Sequence, residues 1–450
     1  MVNNMEKNSF YLVSLGCAKN TVDSSSIHEL LINSGYFAAE KPTAAKFLIV
    51  NTCGFIQPAR QEAIDTLSQL ARNKKKNQSL IAAGCMTERY RQFLIDQVPG
   101  IDAMIGTRRW MDILDVINKL RSPDIYPQPV YHLPEVEEIG RDEKGVHRSA
   151  IQGGSAYLKI ADGCRRPCAF CSIPLIKGIP VSRQPEAIVK EAQYLESVGV
   201  QELVLIAQDT TDYGVDLGLK DGLPDLIQIV SKAAPTIPWI RVLYTYPGYV
   251  TDKLIYTMAE TKQVLPYLDI PLQHGHPDVL RRMRRPANID WVYNTIAKMR
   301  SIIPSLALRT TFIVGYPGES EAEFETLLSF INDIRFDHVG VFPFSFEPGT
   351  ESEPLGDPIP MELKQERISR LMALQEEISL SRNQSFIGAE QQVLIEGYGQ
   401  GVSIGRAYHD APEIDGLVFI HGKVPVGRLV NARITGAMTH DLTAELMKGQ

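Results

Sequence analysis

The cysteines constrain this 450-residue chain most, because all six fall into two sets of three. One set has the compact spacing C-x3-C-x2-C and consists of Cys164, Cys168 and Cys171. The other set is dispersed, each member following a β-like apolar run, and consists of Cys17, Cys53 and Cys85. Three thiolates leave one iron of a four-iron cluster without a protein ligand, so a small molecule can bind and react there. Two such sets indicate redox or radical chemistry rather than structural metal.

The composition is that of an ordinary globular protein, with 44% hydrophobic and 22% charged residues. The length favours about three domains. We expect no membrane span, because no run of about 20 apolar residues occurs. The polar start, Met1 to Phe10, lacks the apolar region of a signal peptide. A cytoplasmic location with reduced, metal-binding cysteines follows. The net charge of −7 shows no basic surplus of the kind that phosphate-binding proteins usually carry.

The first part, residues 1–140, alternates between strand and helix patterns. Strand-like runs occur at Phe10–Leu15, Lys46–Asn51 and Leu80–Ala83, and helical patterns cover Val22–Ser34 and Pro58–Ala71. This alternation predicts a parallel sheet, in which ligands sit beyond the carboxyl ends of the strands. The dispersed cysteines occupy that edge beside glycines, so their thiols could converge despite separations of 36 and 32 residues. The alternative is three buried hydrophobic side chains, since free cysteine is often buried.

A polar linker, roughly Arg121 to Ser149, precedes a second run of βα units over residues 150–383. Its strands are expected at Ala156–Ile160, Glu202–Ile206, Trp239–Leu243, Tyr267–Ile270, Ala307–Val314 and His338–Val341. Six units predict an incomplete parallel barrel, with the compact cysteine loop at the carboxyl end of its first strand. Residues 384–450 change to short strands separated by Gly, Pro and Asp, a pattern that predicts a small β-barrel.

Zinc is a poor match for the compact loop, because structural zinc usually takes four ligands and no fourth cysteine lies nearby. An iron–sulfur loop fits best. The spacing, with Phe170 before the last cysteine, resembles that of the radical S-adenosylmethionine (SAM) enzymes. In that superfamily the open iron chelates the amino and carboxylate groups of SAM. Electron transfer then cleaves the sulfonium to a 5′-deoxyadenosyl radical, while the protein binds and orients the cofactor.

Several segments make a narrower resemblance. Residues 14–20, 51–56 and 83–85 resemble the methylthiotransferase family of radical SAM enzymes, and the C-terminal module resembles its TRAM domain. Within the family, residues 207–214 and 268–274 are similar to the RimO branch. That branch modifies an aspartate of a small-subunit ribosomal protein. The MiaB branch modifies tRNA adenosines instead.

The resemblance implies an N-terminal parallel α/β domain, a central incomplete (β/α)6 radical SAM barrel and a C-terminal TRAM barrel. It also implies two 4Fe-4S clusters on the six cysteines, SAM as cofactor, and a flavodoxin or ferredoxin as reductant. The product would be an aspartate carrying a methylthio group on its β-carbon. Phe170, Gln208 and Asp209 are the predicted cofactor contacts, although Gln208 and Asp209 also suit an ordinary polar loop. No catalytic side chain is predicted.

Two rival functions remain: a tRNA methylthiotransferase of the MiaB type, and an iron–sulfur electron carrier. A carrier's clusters would normally be fully ligated by protein. Against tRNA, residues 386–450 carry five positive and seven negative side chains, which suits a basic protein partner better than RNA. Other candidates are His274, the turn at residues 315–319, and the arginines of residues 281–285, which could bind phosphate or form a solvated face.

Overall fold

The N-terminal sheet has six parallel strands in the order β2-β1-β3-β4-β5-β6. The computed structural model describes residues 8–447, so Met1 to Lys7 of the polar start lie outside it. The strands are β1 Ser9–Ser14, β2 Phe37–Ala38, β3 Phe47–Thr52, β4 Ser79–Gly84, β5 Ala103–Gly106 and β6 Val130–His132. The helices are α1 Ala18–Asn33, α2 Gln57–Asn73, α3 Cys85–Arg89, α4 Arg91–Gln97 and α5 Ile113–Arg121.

Burial on both faces explains this parallel sheet. All six residues of β3 are buried, as expected for a strand covered by helices on each side. Phe47 and Ile49 pack into the core that contains Ile27 of α1, whereas Leu48 packs with Leu67 of α2 on the opposite face. The alternation of side chains along the strand thus fixes which helix covers which face.

Part of the predicted linker, Arg121 to Ser149, belongs to this sheet. Strand β6 pairs with β5, with Val130 opposite Ala103. The expectation of a linker is therefore wrong for these residues, because a three-residue strand is too short to show a periodic apolar pattern. The predicted domain limits, 1–140, 150–383 and 384–450, stay predictions.

The chain forms two compact units whose boundary crosses the compact cysteine loop. The first comprises the chain up to Ala150 together with Ala161–Arg166 and Cys171–Arg183. The second comprises Ile151–Ile160, Pro167–Phe170 and the chain from Gln184 onward. The first unit therefore also holds β9 Ala161–Asp162, β10 Val181–Ser182 and α6 Ile173–Lys177.

The second unit contains a seven-stranded sheet in the order β15-β14-β13-β12-β11-β8-β7, and β8 and β11–β15 pair in parallel. Its strands are β7 Ser149–Gln152 (which the chain enters from the first unit), β8 Ser155–Lys159, β11 Glu202–Ile206, β12 Trp239–Val242, β13 Val264–Asp269, β14 Ala307–Val314 and β15 His338–Pro343. The helices are α7 Pro185–Ser197, α8 Gly222–Ala233, α9 Asp252–Glu260, α10 Pro277–Arg282, α11 Ile289–Ile302, α12 Glu321–Ile334 and α13 Met361–Gln384. This sheet, with its six parallel strands, confirms the predicted incomplete barrel.

A closed five-stranded barrel in the order β16-β17-β18-β20-β19 ends the second unit and confirms the predicted β-module. Its strands are β16 Glu390–Gly399, β17 Val402–Arg406, β18 Val418–His421, β19 Leu429–Ala437 and β20 Leu442–Leu446. Alternate side chains such as Val393, Ile395, Val418 and Ile420 fill its core. Strands β17 and β20 were not predicted, because their apolar residues alternate with polar ones over only five positions.

Charged side chains join this small barrel to the central sheet. Buried Glu202 of β11 accepts from Arg241 of β12 at 2.7 Å and from Arg406 of β17 at 2.5 Å. Burial alone would raise the pKa of Glu202, but the two guanidinium groups lower it to about 2. A second pair joins Arg309 of β14 to Asp415 at 3.3 Å. The module therefore shares buried ion pairs with the strands of the larger sheet.

Among residues 8–447, no helix combines the length and the apolar character needed to cross a membrane.

Candidate functional site

The structure places the three dispersed cysteines at the carboxyl ends of adjacent strands. Cys17 follows β1 and is the N-cap residue of α1, and Cys53 lies between β3 and α2. Cys85 is the first residue of α3, directly after β4. Because β1, β3 and β4 are neighbours in the sheet, these strand-to-helix junctions lie side by side. The N-terminal ends of helices favour negatively charged groups, and a thiolate is one.

Glycines allow the junctions to approach closely. Gly16 has a φ of +91°, and a Cβ added to it would lie 2.6 Å from Cβ of Cys53 and 3.0 Å from its Sγ. A Cβ added to Gly54 would lie 2.8 Å from Cα of Met86, the residue after Cys85. A side chain at either position would therefore push two cysteine-bearing turns apart. The glycines expected to permit close approach do so here.

Asn20 connects all three turns and was not identified from the sequence. Its Nδ2 donates to the carbonyl oxygens of Leu15 at 2.7 Å and Thr52 at 3.1 Å, beside Cys17 and Cys53 respectively. The thiol of Cys85 donates to Oδ1 of Asn20 at 3.8 Å. Only 2% of the surface of Asn20 is exposed, so this side chain connects the three turns from a buried position.

A buried cation lies near the same thiols. Nζ of Lys177, in α6, donates to Oδ2 of Asp23 at 2.8 Å and to Oγ1 of Thr107 at 2.7 Å. Helix α6 packs against α3, which begins at Cys85. Burial raises the pKa of the Cys85 thiol to about 12, and the charge of Lys177 acts against that rise. The lysine therefore favours a negatively charged group at the thiols.

The other two thiols of the set differ in their environment. Burial raises the pKa of Cys53, against the backbone N–H groups of Phe55 and Gly54. Cys17 is exposed, and desolvation by neighbouring atoms still opposes its ionisation; Lys19, the N–H of Asn20 and Lys177 outweigh that effect and lower its pKa. The site thus contains one thiol whose pKa is lowered and two whose pKa is raised.

Lys177 is held by a network of buried ion pairs. Asp23 also accepts from Nη2 of Arg148 at 2.6 Å, and Arg148 reaches Asp162 at 3.1 Å. Asp162 lies 3.7 Å from Nζ of Lys177. Lys177 and Arg148 thus both lie against the carboxylates of Asp23 and Asp162.

Thiolates are the ligands of iron–sulfur clusters, and three of them leave one iron of a four-iron cluster open. Cys17, Cys53 and Cys85 therefore suit such a cluster as a donor set. All six cysteines of the chain are free thiols.

The compact set is divided between the two units, so its members are described separately. In the first unit, the N–H of Cys164 donates to the oxygen of Gly178 at 3.1 Å, and Cys171 lies two residues before α6. In the second unit, Nη1 of Arg285 donates to Sγ of Cys168 at 3.4 Å. The hydroxyl of Tyr246 lies 3.6 Å from the same sulfur. Arg285 is therefore not part of a solvent-exposed helix face, which was one of the two expectations for the arginines of residues 281–285.

The predicted cofactor contacts lie in the second unit. Phe170 packs against a group of buried hydrophobic side chains that includes Tyr316. Gln208 and Asp209 directly follow β11, at the carboxyl end of the sheet. Asp209 is buried, and its carboxylate accepts from the N–H of Thr211 at 2.9 Å to cap a short 3-10 turn. The cap accounts for Asp209 locally, and a cofactor role for these three residues stays a prediction.

Two further candidates form a buried group under the turn at residues 315–319. The carboxylate of Glu319 accepts from the N–H of Gly315 at 2.8 Å and from Arg367 at 2.9 Å, and burial raises its pKa to about 7. His274 is fully buried, accepts from the N–H of His276 at 2.9 Å, and has its pKa lowered to about 3 by burial. Burial thus favours the neutral form of His274.

Family models match three successive parts of the chain. Residues 9–106 match the Uncharacterized protein family UPF0004, residues 158–331 match the Radical SAM superfamily, and residues 387–447 match the TRAM domain. Their order is that of the N-terminal sheet, the central sheet and the small barrel.

Proteins named Ribosomal protein uS12 methylthiotransferase RimO match almost end to end. The one from Roseiflexus sp. (strain RS-1) is 42% identical, with 98% of this chain and 97% of the relative covered. The one from Chloroflexus aurantiacus is 43% identical, with 97% and 99% covered. The one from Microcystis aeruginosa is 42% identical, with 96% and 98% covered.

Solved structures with a similar fold are more distant in sequence. The radical S-adenosylmethionine methyltransferase TsrM from Kitasatospora setae has a TM-score of 0.58 at 12% identity, with 77% of each chain covered. The cobalamin-dependent radical enzyme OxsB has a TM-score of 0.52 at 10% identity, with 82% of this chain and 57% of OxsB covered. These two support the fold alone. The three family models and the near-complete relatives together establish that this chain belongs to the RimO family of methylthiotransferases, which are radical SAM enzymes.

Proposed function

We propose that the protein transfers a methylthio group to the β-carbon of an aspartate in ribosomal protein uS12, using two 4Fe-4S clusters and SAM. The observation that carries the proposal is the dispersed cysteine set at three adjacent strand ends, present in addition to the compact loop. The family relatives named for uS12 support the substrate. An electron carrier would need neither open-iron set nor a barrel.

In this proposal Cys17, Cys53 and Cys85 hold one cluster, and Cys164, Cys168 and Cys171 hold the other. When bound, the clusters and SAM supply the methylthio group and a carbon-centred radical. The radical suits the target, because the hydrogen on an aspartate β-carbon is too weakly acidic for an ordinary base. The chain's own residues bind, orient and stabilise charge: Lys177 near the dispersed set and Arg285 at Cys168.

The surface of the small barrel supports a basic protein partner. Arg406, Asp410 and Asp415 of this module have buried side chains and cannot face a partner. Lys448 lies outside the described residues. The remaining charged residues of residues 386–447 are three positive and five negative, and three minus five leaves a net charge of −2. A mildly acidic surface favours encounter with a basic ribosomal protein over the phosphates of tRNA.

Deleting residues 386–450 would not test this partner cleanly. The deletion would remove Arg406 from Glu202 and Asp415 from Arg309, leaving charges buried in the central sheet without their partners. Such a loss commonly destabilises a protein by about 3–5 kcal/mol. Substitution of an exposed charge, such as Glu445→Lys, keeps the fold and changes only the surface.

The reductant in this proposal is a small electron-transfer protein, a flavodoxin or ferredoxin, and the reaction takes place in the cytoplasm. The test is an anaerobic assay in which purified, reconstituted enzyme receives uS12 and tRNA together with SAM and a reductant. We expect mass spectrometry to find one methylthio group on an aspartate of uS12 and none on tRNA adenosine. Modification of tRNA with unmodified uS12 would instead support the MiaB-type function.

A further inference from the structure

Arg285 has an unusual environment for a residue in an arginine-rich stretch. Only 9% of its surface is exposed, and its guanidinium lies 4.2 Å from the centroid of the Tyr246 ring. Nη1 donates to Sγ of Cys168 at 3.4 Å, and Nη2 donates to the carbonyl oxygen of Pro271. The side chain is therefore fixed by stacking on one face and by hydrogen bonds at both terminal nitrogens.

One donor of this side chain remains without an acceptor. Among the described residues, Nε of Arg285 is buried and has no hydrogen-bond partner. A buried donor left unsatisfied costs about 1–3 kcal/mol. A negatively charged group bound beside Cys168 would supply the missing acceptor, so the site is more favourable when such a group is present.

We propose that Arg285 is a positioning residue that raises the reduction potential of the cluster held by Cys164, Cys168 and Cys171. The inference rests on the proposed function, which assigns that cluster to these cysteines. Arg285 acts through the sulfur of Cys168 and has no direct part in bond cleavage.

The physical reason is the charge that the cluster gains on reduction. Arginine stays protonated in proteins, so its positive charge at Cys168 is permanent. A nearby cation and an N–H···S hydrogen bond stabilise the more negative reduced state more than the oxidised state, and hydrogen bonds to cluster sulfurs are known to set the potential. A higher reduction potential would favour uptake of an electron from the reductant, so Arg285 would act on the step that precedes cleavage of SAM.

The neighbouring Arg284 provides a matched control. Its side chain is 53% exposed and pairs with exposed Glu351 at 3.0 Å. Substitution of either arginine by methionine removes the same formal charge from the same loop. Only one of the two substitutions removes a donor from a cysteine.

The experiment uses the full chain with Cys17, Cys53 and Cys85 replaced by alanine, so that only the cluster at the compact loop forms. This parent is compared anaerobically with Arg285→Met, Arg285→Lys and Arg284→Met in the same background. The measurements are iron per chain, the electron paramagnetic resonance spectrum of the reduced cluster, and its midpoint potential in a redox titration.

We expect Arg285→Met to shift the midpoint potential to a more negative value, to change the spectrum, and to slow SAM cleavage about 10–100-fold at a fixed reductant potential. Arg285→Lys keeps the positive charge but lacks the planar guanidinium group with its fixed N–H donors. It should therefore shift the midpoint potential in the same direction by a smaller amount. Arg284→Met should match the parent in all three measurements.

The outcomes separate the two levels of the proposal. A parent that binds no cluster contradicts the proposed function, because Arg285 is intact in it. Suppose instead that the parent binds a normal cluster. If every Arg285 variant that binds iron then has the same midpoint potential and spectrum as the parent, the role of Arg285 is overturned and the proposed function is not. If Arg285→Met binds no iron, Arg285→Lys is compared with the parent instead. An unchanged midpoint potential and spectrum in Arg285→Lys would then overturn the role of Arg285.

Discussion

The two cysteine sets present three thiols each, but the chain builds them in different ways. The dispersed set is assembled by the fold: three strand-to-helix junctions of one sheet meet because glycines allow close approach and Asn20 connects the turns. The three cysteines of the compact set are already close along the chain, because they lie within eight residues of one loop. The nearby cations differ too, with buried Lys177 close to the first set and stacked Arg285 at the second.

Because of this difference, we expect different substitutions to disturb each cysteine set. The dispersed set depends on strand register and on buried polar contacts, so changes far from any thiol should disturb it. The compact set depends on its own loop and on groups that touch its sulfurs. Variants that disturb one set and leave the other intact distinguish these two modes of assembly.

The largest effect should come from the compact set itself. Replacing Cys168 by alanine removes one of three proposed ligands, and we expect the formation of 5′-deoxyadenosine from SAM to fall to background. The same result is expected for Cys164→Ala and Cys171→Ala. Chromatography of the reduced, anaerobic reaction measures the product, and undiminished formation in any one of the three variants would contradict the assignment.

Lys177→Met should be the next most severe change. It removes one of the buried cations that pair with Asp23 and Asp162, and loss of one member of a buried ion pair costs about 3–5 kcal/mol. Chemical denaturation should show this loss, together with reduced iron in the dispersed site. Lys253→Met, at an exposed pair with Asp225, is the control and should cost less than about 1 kcal/mol. Equal costs for the two variants would contradict the role of the network.

Asn20→Ala should have an intermediate effect that is specific to the dispersed set. The substitution removes two hydrogen bonds to buried carbonyl groups, at a cost of about 1–3 kcal/mol. We expect less iron and little methylthiolation, while cleavage of SAM at the compact set continues. A variant that loses SAM cleavage to the same degree as methylthiolation would show that the two sets are not independent in this respect.

The smallest effect concerns pH and leaves both cysteine sets intact. Burial alone would lower the pKa of His338, but the carboxylates of Asp415 and Asp410 raise it above its ordinary value. Because the folded-state pKa is raised, the stabilisation from protonated His338 is complete below the unfolded value of 6.5 and is lost as pH rises through the folded value.

Unfolding midpoints measured at about pH 6 and about pH 8 test this. Compared with His338→Gln, the wild type should lose more stability between the two values. Cluster content should stay constant in both proteins. An identical pH response of the two proteins would exclude His338 as the titrating group.

The fold was largely accessible from the sequence, because buried parallel strands and amphipathic helices leave periodic patterns. The strands Glu202–Ile206 and Ala307–Val314 were predicted to the residue. Helix α1 begins at Ala18, four residues earlier than expected, with Cys17 as its N-cap residue. Strand β6 was missed, since three residues leave no pattern.

The site was only partly accessible. The six cysteines stand out because of their spacing and their positions after apolar runs. Asn20 and Lys177 do not, and Arg285 was considered only for phosphate binding or a solvated face, because the roles of all three depend on contacts between residues distant in sequence. Lys177 reaches Asp23 across 154 positions, and Arg285 reaches Cys168 across 117. A polar residue in a helix or loop gives no signal that it will be buried against a thiol.

The independence of the two cysteine sets is tested most directly by one protein, the full chain with Cys17, Cys53 and Cys85 replaced by alanine. Iron, 5′-deoxyadenosine and methylthiolated uS12 are measured on the same preparation. We expect about half the iron of the wild type, continued formation of 5′-deoxyadenosine and no methylthiolated uS12, because clusters held by separate thiolates assemble separately. Iron at the wild-type level would show that these three cysteines are merely packed side chains and would contradict the two-cluster proposal.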